Sequence, residues 1–258
     1  MAMNENAQLG MNFLDMQAHV GVTKHTGGFE ATNELLSLCH IEEAHQVLNV
    51  GCGIGVGPAY IAKKYNCRVV GVDISEKMIE WSRRRAREEH VEAKVEFRVA
   101  DVLELPFEAD RFDVVIVESV LIFVEDKPRA IRECVRVTKP GGYVGLNEGL
   151  SIKQPPPELV AQVKDAIGPS ISTIETWQAL WEESGLQERV MRIHQTDPRK
   201  EVKDRMQWIG WRWILRAWGR ALRLYITNPA VRQSIKEMFD VPPEVFQYMG
   251  YGLFAGRK

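Results

Sequence analysis

The sequence predicts an α/β protein built on a parallel sheet. Three observations predict it. Five short apolar segments alternate with helical ones between residues 46 and 147, glycines crowd the end of the first, and carboxylates end the next two. Strands separated by helices pair in parallel through right-handed crossovers, and ligands of such sheets gather at the carboxyl ends of the strands.

Residues from about 8 to 45 read as helical, with apolar positions at helical spacing over 31–39 and Gly27-Gly28 punctuating what precedes them. Residues 46–50 form a short apolar strand, and 59–64 lie in the helix after it. Residues 68–72 are the second strand, and Ser75 can cap a helix that runs to about His90. Residues 95–99 alternate as a third strand. Residues 112–117 are almost wholly apolar, as a strand covered on both faces should be. A helix over about 127–138 stops at Lys139-Pro140-Gly141-Gly142, and 143–147 form a fifth strand. Beyond Glu148 the pattern changes. Gln154-Pro155-Pro156-Pro157 reads as a linker, 174–184 as a helix and 188–193 as a strand. Residues 199 to about 240 are helical with breaks at Pro229 and Pro242-Pro243, and 245–255 are a closing strand. The expected division is an N-terminal helical lid (1–45), a ligand-binding core (46–150) and a remainder (151–258) that holds a helical insertion at about 197–244.

Composition narrows the function classes. With 45% hydrophobic residues, 258 residues suffice for one generous globular domain or a domain with an insertion. A net charge of -2 argues against nucleic acid as a partner. Cys39, Cys52, Cys67 and Cys134 are scattered without a CxxC pair, so a reducing cytoplasm is expected, with no disulfide framework. No His/Cys/Asp cluster has metal-ligand spacing, so no metal is expected. There is no signal-peptide pattern at the N-terminus and no apolar run of about 18 residues.

The stretch VLNVGCGIGVG, residues 47–57, carries the chemistry. A dinucleotide fingerprint needs G-x-G-x-x-G or A, and both registers fail here, at Val56 and at Pro58. Gly51, Gly53 and Gly55 instead give G-x-G-x-G directly after a strand, a pattern that tight packing can also produce. The second strand ends in Asp73, which can accept hydrogen bonds from ribose hydroxyls or merely cap the next helix. The third ends in Asp101, which can accept from an adenine amino group, with Ile74 and Val102 placed to sandwich the ring.

The ordered set VLNVGCGIG, GVDIS, ADVLELPFEADRFDVVIVESVLIFVED and VTKPGGYVGLNE resembles the class I S-adenosylmethionine-dependent methyltransferases over residues 25–150. It is most similar to the small-molecule group that includes ubiquinone and menaquinone C-methyltransferases. The upstream KHTGGFEATNELL also resembles the lead-in of that group. The resemblance implies a Rossmann-like seven-stranded, mostly parallel sheet in the order 3-2-1-4-5-7-6, with helices on both faces and a helical cap. It implies S-adenosylmethionine as cofactor, held by Asn49, Gly51, Cys52, Gly53, Asp73, Ile74, Met78, Asp101, Val102 and Glu118. Asn49 departs from the family pattern, which has Asp or Glu there to hold the charged amino-acid end of the cofactor. That leaves a non-catalytic cofactor-binding scaffold open. A nicotinamide oxidoreductase stays open against the glycine register.

Methyl transfer from a sulfonium is an in-line displacement, so alignment in a dry pocket supplies much of the rate, and a base is needed only where the acceptor must lose a proton. The candidates are His25, in the segment expected to fold over the cofactor, and Glu148, after the fifth strand. Each has a bland alternative, a surface turn histidine and a loop carboxylate. His19 and His194 are weaker. Leu121-Ile122-Phe123 stands where many relatives carry a histidine, which makes that wall apolar. The expected reaction is methylation of a small, lipophilic or aromatic molecule, with N- or O-methylation of a polar metabolite as the alternative.

Residues 206–226 hold four of the seven tryptophans. Trp208, Trp211, Leu215, Trp218, Leu222 and Tyr225 share one helical face at about 100° per residue, beside a stripe of Arg205, Arg212, Arg216, Arg220 and Arg223. The segment reads as a lid helix whose apolar face packs on the domain, with arginines in solvent. Peripheral membrane contact through 205–225, a homodimer contact and an anionic acceptor held by the arginines are the other readings.

Overall fold

The computed structural model describes residues 13–23, 25–160, 171–229, 231–232 and 243–258. The outer parts of the expected N-terminal lid and of the 199–240 helical stretch, with the break at Pro242, lie outside these residues.

A seven-stranded sheet in the order β3-β2-β1-β4-β5-β7-β6 forms the centre. Its strands are β1 (Gln46–Val50), β2 (Arg68–Asp73), β3 (Val95–Val99), β4 (Phe112–Glu118), β5 (Thr138–Ser151), β6 (Gln187–Gln195) and β7 (Met249–Arg257). The first five pair in parallel, and β7 inserts antiparallel between β5 and β6. The helices are α1 (Phe13–Val20), α2 (Gly28–Leu38), α3 (Val56–Tyr65), α4 (Glu76–Glu88), α5 (Lys127–Val137), α6 (Ile174–Glu182), α7 (Pro198–Ile209) and α8 (Trp211–Thr227). The resemblance implied this order and it holds.

Alternation along each strand builds two cores, because successive side chains leave opposite faces of a sheet. Leu48, Val115, Val117, Leu146 and Phe254 enter one core with Ile131, Trp177 and Trp181. Val47, Val114, Ile116, Leu253 and Ala255 enter the other with Leu35, Leu36 and Ile61. Side-chain caps set the helix starts. Ser75 Oγ accepts the Met78 N–H at 3.3 Å, and Asp126 Oδ1 accepts that of Arg129 at 3.0 Å.

Several boundaries differ from the sequence expectation. Helix α5 stops at Val137, just before Lys139-Pro140-Gly141-Gly142 as expected, but these four residues belong to β5. Pairing with β4 steps from Phe112↔Thr138 to Val114↔Tyr143, so these residues bulge out of the ladder. β5 then runs on through Glu148 to Ser151, because β7 supplies partners as far as Met249. Residues 243–247 form a 3₁₀ turn rather than the start of the closing strand. The long helix after 198 is two helices, broken at Gly210, whose φ of 89° is readily available only to glycine.

Candidate active site

The carboxyl ends of β4 and β5 and the glycine turn after β1 meet residues that precede α2. Thr26 N–H donates to Ser119 Oγ at 3.0 Å, and Asn147 Nδ2 donates to the Thr26 carbonyl at 2.9 Å. Thr32 Oγ1 donates to Glu118 Oε1 at 2.7 Å, and Asn147 Nδ2 lies 3.4 Å from the same oxygen. His25 Nε2 lies 3.0 Å from both the Gly28 carbonyl and Thr32 Oγ1, and 4.0 Å from Glu118 Oε1. The Gly28 carbonyl can only accept, so Nε2 carries a proton. Glu118 and His25 side chains are only 8% and 9% exposed, so these bonds are shielded from water. This lid is pinned, not loose. Thr23 lies against Gly53, and a Cβ at Gly28 would come within 2.6 Å of Asp204 Cβ on α7. Rings of His25, Phe29, Tyr60 and Trp208 pack edge-on at centroid distances of 5.1–5.6 Å and wall this region.

The glycine turn needs its glycines for space as well as for φ. Gly51 has φ 67°, and any Cβ there would collide with Val120 Cγ2. Asp73 grips the same turn: its Oδ2 accepts the Gly53 N–H at 2.9 Å and its Oδ1 that of Ser75 at 2.9 Å. Burial raises the Asp73 carboxyl above its ordinary value, with both amide bonds pulling it back. Beside it Ile74 is 69% exposed, an uncovered apolar side chain at a strand end, and Asp101 is exposed at the end of β3. An open aliphatic surface flanked by two carboxylates and a glycine turn fits the adenosine half of a nucleoside ligand.

Other expected contacts sit differently. Val102 turns into the core beside Leu105 and Phe107, so of the two residues expected to sandwich a ring Ile74 is the exposed one. Met78 is buried with Ala18, Trp208 and Trp213 under the cap helices rather than open at the strand end. The Cys52 side chain packs inward against Ala59, Ile79 and Phe97, which leaves only its backbone for a ligand. Asn49 is buried beneath the turn, with Oδ1 3.4 Å from the Cβ position of Gly57. All four cysteines are free and buried, and burial pushes their thiols up, so none offers a thiolate.

Glu148 is not a loop carboxylate. It lies within β5, fully buried, and accepts the N–H groups of Val120 and Leu121 on Oε1 (3.0 and 2.8 Å) and of Ile122 on Oε2 (3.1 Å). Burial raises it to about 7 against those three bonds. Its oxygens are committed to shaping the turn after β4, a positioning role. His19 Nδ1 bonds its own helix at Asp15, and His194 stacks on Tyr251 of β7. Thr32, Ser119 and Asn147 were not anticipated. The parallel register that sets Asn147 beside Glu118 brings a polar pair to neighbouring strand ends, a signal readable only once the strands are aligned.

Residues 48–146 match the family model described as a methyltransferase domain. A phosphoethanolamine N-methyltransferase of Triticum aestivum is 32% identical over 166 residues, 64% of this chain and 32% of that protein. The chain thus spans about a third of the length of the first curated relatives it matches. An uncharacterised protein of Haemophilus influenzae is 30% identical over 183 residues, 69% of this chain and 72% of its own length. A phosphoethanolamine N-methyltransferase of Haemonchus contortus, solved with phosphomonomethylethanolamine and S-adenosylhomocysteine, superposes with a TM-score of 0.72 at 18% identity. The match covers 95% of this chain and 56% of that one.

Proposed function

We propose that this chain, whose residues 48–146 match a methyltransferase domain, is a class I S-adenosylmethionine-dependent methyltransferase that methylates a small acceptor held between its pinned lid and the ends of β4 and β5. The observation that carries the reading is the pair of bonds from Thr26 to Ser119 and Asn147, which lay the lid across the strand ends beside the glycine turn. When bound, S-adenosylmethionine supplies a methyl group already activated on a sulfonium. Asp73 would accept the ribose hydroxyls, Ile74 would cover the adenine and Asp101 would take its amino group. The chain's own task is then alignment and exclusion of water. The Nε2 contacts fix the His25 ring, and in its neutral form Nδ1 would take a proton from an acceptor that must lose one.

The acceptor is apolar or aromatic. Phe29, Tyr60 and Trp208 wall the lid, and Ile122 and Phe123 are half-buried after β4. Methylation of an amine is the second reading, favoured by the likeness to phosphoethanolamine N-methyltransferases and by aromatic faces that suit a cationic product. An acceptor screen with isotopically labelled methyl donor separates them. Label in quinones, phenols or isoprenoids supports the first reading. Label confined to small polar amines removes it.

A further inference from the structure

Helix α8 packs the opposite way round from its expected role. Its inner side holds Trp213, Ala217, Arg216 and Arg220. Trp213 Nε1 donates to the Gly21 carbonyl at 2.7 Å, and its ring lies under the Arg85 guanidinium at 4.2 Å. Arg220 Nε donates to the Val20 carbonyl at 2.6 Å and stacks over Trp81 at 4.4 Å, while Arg216 pairs with Glu88 at 3.1 Å. Trp213 and Ala217 are buried and Arg220 is half-buried against Trp81, whereas the apolar stripe expected to pack faces out. Trp211 is 61% exposed, Leu215 61%, Trp218 73%, Leu222 62% and Ile226 67%. Their spacing of four, three, four and four residues makes one continuous ridge along the helix.

From this ridge we infer that α8 lies on an anionic lipid bilayer and docks the protein there. A contiguous exposed apolar ridge marks an interaction surface. Charge selects the occupant. Residues 211–229 carry Arg212, Arg216, Arg220 and Arg223 and no Asp or Glu. Arg212 and Arg223 are exposed beside the ridge, and Arg232 adds a further cation by donating to the Tyr225 and Ile226 carbonyls. A second copy seated on this face would set arginines against the same arginines, since a two-fold contact pairs a surface with itself. A lipid surface offers phosphates to the arginines and an interfacial layer to the tryptophans. Among the described residues no helix is long and apolar enough to cross a membrane, so the contact is with the surface. The inference stands apart from the acceptor's identity, because docking needs neither methyl donor nor acceptor.

Vesicle flotation of the full chain tests it, with phosphatidylcholine alone and phosphatidylcholine mixed with phosphatidylglycerol. Wild type should float roughly tenfold better with the anionic vesicles and lose that preference at high salt. Trp218→Ser with Leu222→Ser should abolish flotation, and Arg212→Gln with Arg223→Gln should erase the anionic preference. Both pairs are exposed, so both variants should melt with wild type. No flotation, equal flotation on neutral vesicles, or a ridge variant that still floats would overturn the inference. So would a wild-type dimer in sedimentation that Trp218→Ser dissolves, because the ridge would then belong to a second copy.

Discussion

Glu148 Oε1 accepts the backbone N–H of Val120 at 3.0 Å, and Val120 in turn fills the space that a side chain at Gly51 would need. A buried carboxylate on β5 thus sets the turn after β4, and that turn presses on the glycine loop after β1.

This relationship makes stability depend on pH. Burial raises Glu148 from its ordinary 4.5 to about 7. Its contribution is therefore complete below about 4.5 and is lost as pH rises through 7, on the order of 3 kcal/mol. Glu148→Gln should flatten that slope. It should also cost about 1–3 kcal/mol at low pH, because its amide sets a donor against one of the three N–H groups. Denaturant melts of both proteins from pH 4.5 to 8 give the comparison; parallel curves would contradict it.

Gly51→Ala should combine a left-handed backbone cost with a collision at Val120. Together these amount to about 2–4 kcal/mol, with loss of donor binding. A companion Val120→Ala should recover part of the stability, and a double-mutant cycle of melting data measures that recovery.

Thr32→Val removes the hydroxyl that joins His25 to Glu118. Turnover should fall about tenfold or more with donor affinity nearly intact, since the bond orients the lid and not the nucleoside end. Thr32→Ser should restore most of the rate. A loss confined to donor affinity would place Thr32 with the cofactor instead.

Arg85 is buried and donates to the Ile54 and Ile209 carbonyls, fastening α7 to the glycine loop. Arg85→Met should destabilise by about 3 kcal/mol or more, because two buried carbonyls lose a charged donor and Glu89 keeps only Lys63 of its two cationic partners. It should also open α7 and α8 to limited proteolysis before the core. Uniform unfolding would argue against a separately fastened cap.

The sequence made the strand ends legible because a sheet covered on both faces writes its strands as continuous apolar runs. Gly51, Asp73 and Asp101 stand where those runs stop. It hid Glu148 because the strand it belongs to is prolonged by β7, whose partners lie about a hundred residues downstream. It hid the Thr32–Glu118 and Asn147–Thr26 bonds for the same reason: the partners are 86 and 121 residues apart. Periodicity found both stripes of α8 but not that the helix packs through Trp213 and Ala217, with Arg220 stacked on Trp81, and leaves the apolar stripe outside.

Asp73 and the glycine turn are the proposed hold on S-adenosylmethionine. Calorimetric titration with S-adenosylmethionine and S-adenosylhomocysteine, on wild type, Asp73→Ala and Asp73→Asn, tests it most directly. Saturable binding of both ligands to wild type, collapse in Asp73→Ala and marked weakening in a folded Asp73→Asn are expected. Absence of binding to wild type, or full affinity in folded Asp73→Asn, would contradict it.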